Sequence, residues 1–135
     1  MGTNGKRNRT AGHRWERKIV SYLKLIGYIF AVTTRSESRS RDDKKIDIMN
    51  YDEATNGRLP FNIQCKSTTV SVPYGKILTE MPDEGLINVI FHEQTRNVNG
   101  RFMCIGEYAI LNLSDLLEIF EFLKQNNYER RTSGT

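Results

Sequence analysis

Apolar residues recur with two different spacings along this chain, and each spacing predicts one type of element. From about Gly12 to Ile26 they recur every three or four residues, which predicts an amphipathic helix ended by Gly27 in the usual C-cap position. Runs rich in aromatic and β-branched residues follow and predict three short strands. These strands are expected over residues 28–34, 45–50 and 60–67.

The second half of the chain predicts two more helices and two more strands. A short helix is expected near residues 74–81, and Ser114 is expected to cap a final helix over about 115–126. The run over 86–91 is almost wholly apolar, as in a strand inside a sheet, and a hairpin joins it to a strand over 101–110. The predicted fold is an α/β sandwich around one mixed sheet of about five strands.

A chain of 135 residues with 38% hydrophobic and 27% charged residues fits one soluble globular domain. We expect a flexible basic arm over residues 1–11, a single domain over 12–127 and a disordered tail over 128–135. No apolar run reaches the roughly 18 residues of a membrane helix, and the N-terminus lacks a secretory signal, so a cytoplasmic location is expected. Cys65 and Cys104 match no zinc spacing and are predicted to be buried free thiols.

Positive charge is concentrated in the first third of the chain. The net charge is +4, and the isoelectric point is near 9.2. Residues 6–18 carry six basic side chains against one acidic side chain, and residues 35–45 carry five against three. This distribution suits a polyanionic partner such as nucleic acid. A solvated basic face gives the same pattern, so both interpretations stay open at this point.

Polar residues interrupt two of the predicted strands. Asp47 lies within the second, and Gln64 and Lys66 flank Cys65 in the third, so that the strand period places both on one face. Mg²⁺ prefers hard oxygen ligands and uses only one or two protein carboxylates. Asp47, the Gln64 amide oxygen and the Cys65 carbonyl are therefore candidate ligands. Glu16, on the edge of the first helix's apolar stripe, is a candidate to complete the site or to hold a metal-bound water.

Lys66 adds a further group that phosphodiester hydrolysis needs. Its ammonium group can orient the attacking water and help to deprotonate it, while the metal lowers that water's pKa and stabilises charge on the phosphate. Each of these residues alone is more often an ordinary solvated side chain. Their order, a helix Glu followed by a strand Asp and a Gln-x-Lys pair, favours a metal-dependent nuclease site. No glycine-rich phosphate loop is visible in the sequence.

With these residues in this order, the sequence resembles the PD-(D/E)XK nuclease superfamily. It is most like the archaeal-type Holliday junction resolvases and their phage-encoded relatives. Four motifs carry the resemblance: the opening helix over 12–28, an R-S-x-S loop over 34–38, the P-D-I position over 45–48 and the E-x-K position over 63–66. In the first motif Gly12 precedes the catalytic Glu16. The resemblance covers residues 12–67, about half of the chain.

Two residues depart from the family pattern. Ile46 replaces the proline of P-D-I, and Gln64 replaces the acidic residue of E-x-K, which removes one negative charge from the metal site. The Gln-x-Lys site is similar to those of Mrr-like restriction nucleases, so it is compatible with activity. The resemblance implies a restriction-endonuclease-like sandwich with Mg²⁺ or Mn²⁺ as cofactor. The catalytic residues it implies are Glu16, Asp47, Gln64 and Lys66.

In such a fold the polar loop over 35–44 lies beside the site and contacts DNA phosphates. The residues expected to bind DNA there are Arg35, Ser36, Ser38, Arg39 and Arg41. Three basic residues of the first helix, Arg14, Arg17 and Lys18, are expected to extend this surface. As helix residues they are equally compatible with plain solvated charges.

The resemblance implies a metal-dependent, structure-selective DNA endonuclease that resolves four-way (Holliday) junctions, in the host cytoplasm if a phage encodes it. Because two symmetric nicks need two active sites, it also implies a homodimer. The apolar faces of strand 86–91 and strand 101–110 are both candidates for its interface. Two alternatives stay open. One is a restriction or repair nuclease of the same fold that acts on duplex or single-stranded DNA, and the other is a catalytically silent module that binds nucleic acid.

Overall fold

The computed structural model describes residues 2–37, 45–50 and 59–128, with the side chains of residues 10–35 and of the two later segments. One mixed sheet of five strands runs in chain order, and helices pack on both faces. The strands are β1 (Ala31–Thr33), β2 (Ile48–Asn50), β3 (Phe61–Thr68), β4 (Ile87–Val98) and β5 (Arg101–Ile110). The helices are α1 (Gly2–Leu25), α2 (Thr34–Glu37), α3 (Tyr74–Glu80) and α4 (Leu113–Gln125). The predicted α/β class with a mixed five-stranded sheet is confirmed.

The strand pairing places the candidate site between β2 and β3. β1, β2 and β3 pair antiparallel in succession, with Ile48 of β2 opposite Ile63 of β3. β4 is parallel to β3, and because parallel neighbours need a crossover, the connection between them contains α3. A tight turn then folds β5 back antiparallel onto β4. Gly100 has a φ of 81° in this turn, which glycine adopts without strain.

Side chains of β3 alternate between two faces, and each face packs against a different helix. Ile63 and Cys65 lie in the main core with Trp15 of α1. The Trp15 indole N–H donates to the Phe91 carbonyl at 2.8 Å, so the polar atom of this buried side chain is satisfied. Ile90 lies on the opposite face, in a second cluster that α3 completes. The Gln-x-Lys pair shares this α3 face.

Several element boundaries differ from the prediction. α1 begins at Gly2 rather than near Gly12, so the backbone of the basic arm is helical, while its flexibility stays a prediction. The arm has almost no apolar residues, so hydrophobic periodicity could not extend the helix into it. The first strand contains only Ala31–Thr33. The residues just before it form turns after Gly27, which has a φ of 114°, and are therefore not extended. The start of the predicted loop instead forms α2.

The remaining corrections concern β2, α4 and one cysteine. β2 begins at Ile48 because Lys45, at a φ of 65°, breaks the extended backbone before it. α4 begins at Leu113 with Asn112 as its N-cap residue, so the predicted Ser114 cap is wrong. Cys65 is buried as predicted, but Cys104 is exposed because β5 is the outer strand of the sheet.

Among the described residues, no helix is both long and apolar enough to cross a membrane. The predicted tail lies outside the described residues after position 128.

Candidate active site

Asp47 is fixed by hydrogen bonds from both sides. It lies directly before β2, where its N–H donates to the Ile63 carbonyl at 2.8 Å and its carbonyl accepts from the Thr34 N–H at 2.9 Å. Its carboxylate Oδ2 accepts from the Cys65 N–H at 2.7 Å and from Gln64 Nε2 at 3.0 Å. β3 and the first residue of α2 thus hold the backbone of this residue, and β3 also holds its carboxylate. Such support gives a metal-ligating carboxylate a defined orientation.

Gln64 is buried, at 8% exposed, and only half of its amide group is used. Nε2 donates to Asp47, but Oε1 has no hydrogen-bond partner among the described residues. An unpaired buried acceptor costs about 1–3 kcal/mol, and such atoms in folded proteins often mark the place of an ion or a water. Rotating the amide by half a turn would place Oε1 where Nε2 now lies, about 3.0 Å from the Asp47 carboxylate. The amide oxygen and the carboxylate oxygen repel each other at this distance unless a cation binds to both.

The donor set of this pair fits Mg²⁺ or Mn²⁺. A carboxylate and an amide oxygen are hard ligands, and Mg²⁺ sites in proteins commonly use one or two carboxylates and leave the other positions to water and substrate phosphate. Asp47 and Gln64 would hold the ion, and the orphaned Gln64 oxygen is the observation that favours it. The Cys65 carbonyl as a third ligand stays a prediction.

Glu16, the fourth predicted catalytic residue, forms an ion pair with Arg35. Arg35 Nε donates to Glu16 Oε2 at 2.9 Å, and the Glu16 side chain is only 13% exposed. Burial raises the pKa of the Cys65 thiol well above its ordinary value, and the negative charges of Asp47 and Glu16 raise it further while Lys66 opposes them. Glu16, Asp47 and Lys66 therefore all act electrostatically on the Cys65 position of β3. Of the four predicted catalytic residues, Asp47 and Gln64 are in direct contact, and the part of Glu16 and Lys66 in one site with them stays a prediction.

Lys66 is half-buried, yet its ammonium group makes no ion pair or hydrogen bond with the described residues. Charged groups that lose water normally gain a partner, because an unpaired buried charge is costly. Lys66 instead lines an open cavity of about 290 Å³ on the α3 face of the sheet. An unpaired ammonium group in a cavity wall is available to an anionic ligand.

A buried histidine lies beside Lys66, and sequence reasoning assigned it no role. His92 of β4 is in register with Lys66 of β3 and is 2% exposed. Thr68 Oγ1 donates to the Val70 carbonyl at 2.6 Å and contacts His92 Nε2 at 2.8 Å, while the Tyr74 hydroxyl lies 3.0 Å from Nδ1. Since the single Thr68 proton is already donated, Nε2 carries the imidazole proton and Tyr74 donates to Nδ1.

This chain of bonds holds His92 neutral and joins the end of β3 to the start of α3. Burial lowers the pKa of His92 below its ordinary value of 6.5. In sequence the only signal was a polar pair, His92 and Glu93, that interrupts an apolar strand. Their partners lie on elements far away in the chain, so that signal does not identify them.

The network predicts a loss of stability in mild acid. Because the pKa of His92 is lower in the folded state, its contribution to stability is complete above about pH 6.5 and is lost as the pH falls toward the folded pKa. We expect the free energy of unfolding to decrease between pH 7 and 5, with this one group contributing at most about 1.4 kcal/mol per pH unit. Urea titrations of the wild type and His92→Gln measure this slope.

The two variants of the network should behave differently from the wild type. His92→Gln should show a shallower pH slope, and Tyr74→Phe, which frees Nδ1, should lose stability at pH 7 and also show a shallower slope. An unchanged slope in His92→Gln would contradict the assignment of a buried neutral imidazole.

Two of the basic residues expected to extend the DNA surface are engaged in ion pairs on the α1 face. Arg14 Nη2 lies 2.9 Å from Oε1 of Glu93, which is completely buried, and Lys18 Nζ lies 2.5 Å from Glu107 Oε2. The hydrogen bond with Glu107 raises the pKa of Lys18 and lowers that of Glu107. Arg17 is exposed and its side chain has no partner among the described residues. The structure thus uses Arg14 and Lys18 to tie α1 to β4 and β5, and their DNA contacts stay a prediction.

The acidic cluster on the α1 face differs from the site at Asp47. Ligand atoms of Glu93, Cys104 and Glu107 lie within 4.8 Å of one another. Lys18 already supplies a positive charge to this cluster, at 2.5 Å from Glu107 and 3.9 Å from Glu93 Oε2. Arg14 and Lys18 together supply one positive charge for each of the two carboxylates. Glu93 Oε2, like the Gln64 oxygen, has no hydrogen-bond partner among the described residues, so the difference between the two places is the paired cations of the acidic cluster.

The remaining predicted DNA contacts are only partly within the described structure. Arg35 is paired with Glu16, and Ser36 belongs to α2, with its side chain outside the described part. Ser38, Arg39 and Arg41 lie outside the described residues. Comparisons of the chain with protein-family models, curated proteins and solved structures found no match.

Proposed function

We propose that this chain is a Mg²⁺- or Mn²⁺-dependent DNA endonuclease of the PD-(D/E)XK type that cuts four-way junctions. The observation that carries the proposal is the orphaned Gln64 oxygen beside the fixed Asp47 carboxylate, with the unpaired Lys66 ammonium two residues along β3. A structural strand needs none of these groups, and a divalent ion with a phosphate satisfies all three.

The arrangement of elements supports the same proposal. A long helix precedes three antiparallel strands, and the connection to a parallel fourth strand contains a helix, with the acidic residue before the second strand and Gln-x-Lys on the third. The helix, the aspartate before β2 and the Gln-x-Lys pair follow the order of motifs on which the resemblance rests, whereas β4 and α3 lie beyond the residues that it covers.

Each residue of the site has one part in the reaction. Asp47 and Gln64 hold the metal, which when bound supplies charge stabilisation on the phosphate and a more acidic water. Lys66 donates hydrogen bonds that orient the attacking water and offset charge on the phosphate. Glu16 holds Arg35 through an ion pair, and the guanidinium group of Arg35 binds a neighbouring phosphate of the strand.

Gln64→Glu should make the site more dependent on metal. Without metal, the new carboxylate loses the 3.0 Å donor contact with Asp47 and meets a second negative charge, so the melting temperature in EDTA should fall. With Mn²⁺ the added charge should strengthen binding by about tenfold or more and retain cleavage. Melting curves with and without Mn²⁺ measure both effects, and Gln125→Glu, at an exposed position of α4, is the matched control.

If Mn²⁺ raised the melting temperature of Gln64→Glu no more than that of the wild type, Gln64 would not be a metal ligand.

Exposed apolar side chains on β5 and α4 support the proposed homodimer and favour these two elements as its interface. β4 lies between β3 and β5, and its Val89 and Ile90 are buried, so the strand over 86–91 is not available for a dimer interface. β5 is the outer strand, and no residue of α4 is buried. Eight large apolar side chains on these two elements are between 38% and 70% exposed: Phe102, Met103, Ile105, Tyr108, Leu113, Leu117, Phe120 and Phe122.

We infer that a second copy of the chain covers this β5–α4 surface. The four exposed apolar side chains of α4, of about 200 Å² each at half exposure, give roughly 400 Å² of apolar area. β5 adds those of the sheet face that it presents, because neighbouring strand residues such as Phe102 and Met103 point to opposite faces. An outer strand can also pair antiparallel with its own copy across a two-fold axis. A 13-residue helix without buried residues needs such packing, because isolated helices of this length are marginal in water.

Phe120→Glu should convert the dimer to a monomer. Analytical ultracentrifugation at micromolar concentration should give twice the 15.6 kDa chain mass for the wild type and the single mass for the variant. Leu25→Glu changes an even more exposed apolar residue of α1 and should leave the dimer intact. A monomeric wild type, or a Phe120→Glu variant that stays dimeric, would contradict the β5–α4 interface.

The function itself is tested by cleavage of labelled four-way junctions, linear duplex and single strands with Mg²⁺ or Mn²⁺. Symmetric nicking of the junction is the expected result. Cleavage of duplex or single strands instead would select a restriction or repair nuclease. Salt-sensitive binding of all three without cleavage would select the catalytically silent module.

A further inference from the structure

The cavity beside Lys66 contains more cationic and hydroxyl groups than the metal site uses. It measures about 290 Å³, near the lower end of small-ligand pockets, and opens on the α3 face of the sheet. Its walls include two lysines, one carboxylate, two hydroxyl groups and apolar side chains. Those that matter for recognition are Lys66, Lys76, Glu80, Thr68, Ser71 and Val72.

The polar groups of this cavity are not equally available. Thr68 is committed, because its hydroxyl donates to Val70 and contacts His92. Lys76 makes no ion pair or hydrogen bond with the described residues, although Glu80 lies four residues later on the same short helix. Ser71 is exposed and its hydroxyl is likewise unpaired within the described structure. One hydroxyl donor and two ammonium groups thus face a cavity with a single carboxylate.

We propose that this cavity binds one sugar–phosphate unit of the DNA strand, next to the phosphodiester that Lys66 contacts. Lys76 and Ser71 bind its phosphate, and the apolar wall at Val72 packs against the sugar. The proposal rests on the proposed nuclease function, since the scissile bond at Lys66 defines the neighbouring unit. It adds Lys76 and Ser71 to the residues that position the strand, and the sequence pattern did not single out either of them.

Lys76→Ala tests the site through the salt dependence of DNA binding, measured in EDTA by fluorescence anisotropy on a four-way junction. Loss of one phosphate contact should lower the slope of log Kd against log salt by about 0.9, which is about fivefold weaker binding at 0.15 M salt. Glu80→Gln should tighten binding, because it removes the negative charge of the cavity. Lys24→Ala changes an exposed lysine near the end of α1, outside the cavity and outside the β5–α4 surface, and should leave slope and affinity unchanged.

Misfolding would weaken DNA binding in both variants, so weaker binding by Lys76→Ala together with tighter binding by Glu80→Gln cannot result from it. An unchanged slope in Lys76→Ala, or a loss of slope as large in Lys24→Ala, would overturn the proposal. In the same assay a 5′-deoxynucleoside monophosphate should compete for the site at lower concentration than inorganic phosphate. Equal competition by inorganic phosphate would overturn the contact with the sugar.

The binding assay contains no metal, so it separates this site from the nuclease function. Cleavage by the wild type together with an unchanged slope in Lys76→Ala would remove the strand site and leave the nuclease. If Lys76→Ala showed the expected slope change but the wild type cleaved no DNA, the nuclease proposal would fail and a phosphate-binding cavity would remain.

Discussion

Asp47→Asn should abolish metal-dependent cleavage while DNA binding in EDTA persists. The substitution keeps the shape of the side chain but removes its negative charge from the metal. Metal stabilisation of the phosphate is worth several kcal/mol, and each 1.4 kcal/mol or so is a factor of ten in rate. We therefore expect a loss of about a thousandfold or more in the rate of nicking, measured under single-turnover conditions with Mn²⁺.

The expected effect on folding is smaller and can be measured separately. Both the Cys65 N–H and Gln64 Nε2 donate to the same oxygen, Oδ2, so an asparagine oxygen at that position can still accept both hydrogen bonds. The bonds become weaker because the acceptor is no longer charged, and the expected loss of about 1 kcal/mol in the free energy of unfolding is one that urea unfolding detects. Asp83→Asn changes an exposed aspartate outside the site and should leave both rate and stability unchanged. Metal-dependent cleavage by Asp47→Asn at the wild-type rate would remove Asp47 from the site.

Lys66→Ala should reduce cleavage by about a hundred- to ten-thousandfold, the range in which a positioned proton-transfer or water-orienting group contributes. Metal binding should be retained, because Lys66 is not a ligand. Stability should be unchanged or slightly higher, since the variant removes a half-buried ammonium group that has no partner among the described residues. Stopped nicking reactions, Mn²⁺ titration and urea unfolding measure the three quantities.

The stability result separates a catalytic lysine from a structural one. A structural lysine would lower stability when removed, with cleavage falling only because the fold is weakened. Lys24→Ala, at an exposed position near the end of α1, is the control for losing one positive charge. Cleavage by Lys66→Ala within about twofold of Lys24→Ala would show that Lys66 has no part in the reaction.

The parts of the site that local sequence could predict are those on β2 and β3. A period of two places Gln64 and Lys66 on one face whatever the rest of the fold, and a helical period places Glu16 on the edge of its apolar stripe. The approach of Asp47 to β3 followed from a short connection between neighbouring strands. These are local relations, and the structure reproduces them.

The parts that could not be predicted depend on contacts between distant elements. His92 meets Thr68 only because β4 is parallel to β3 in one particular register, and the two residues are 24 positions apart. The ion pairs of Arg14 and Lys18 likewise require β4 and β5 to pack under α1, so sequence alone could not separate them from free basic residues. The orphaned oxygen of Gln64 is a property of packing, and no sequence pattern indicates it.

The position of Mn²⁺ in a crystal of the wild type tests the central claim most directly. An anomalous difference map should show one ion within about 2.0–2.2 Å of a carboxylate oxygen of Asp47 and of the Gln64 amide oxygen, at the distance these hard ligands take. The same crystal should show Lys18 still paired with Glu107. An ion among Glu93, Cys104 and Glu107, with none at Asp47, would contradict the account.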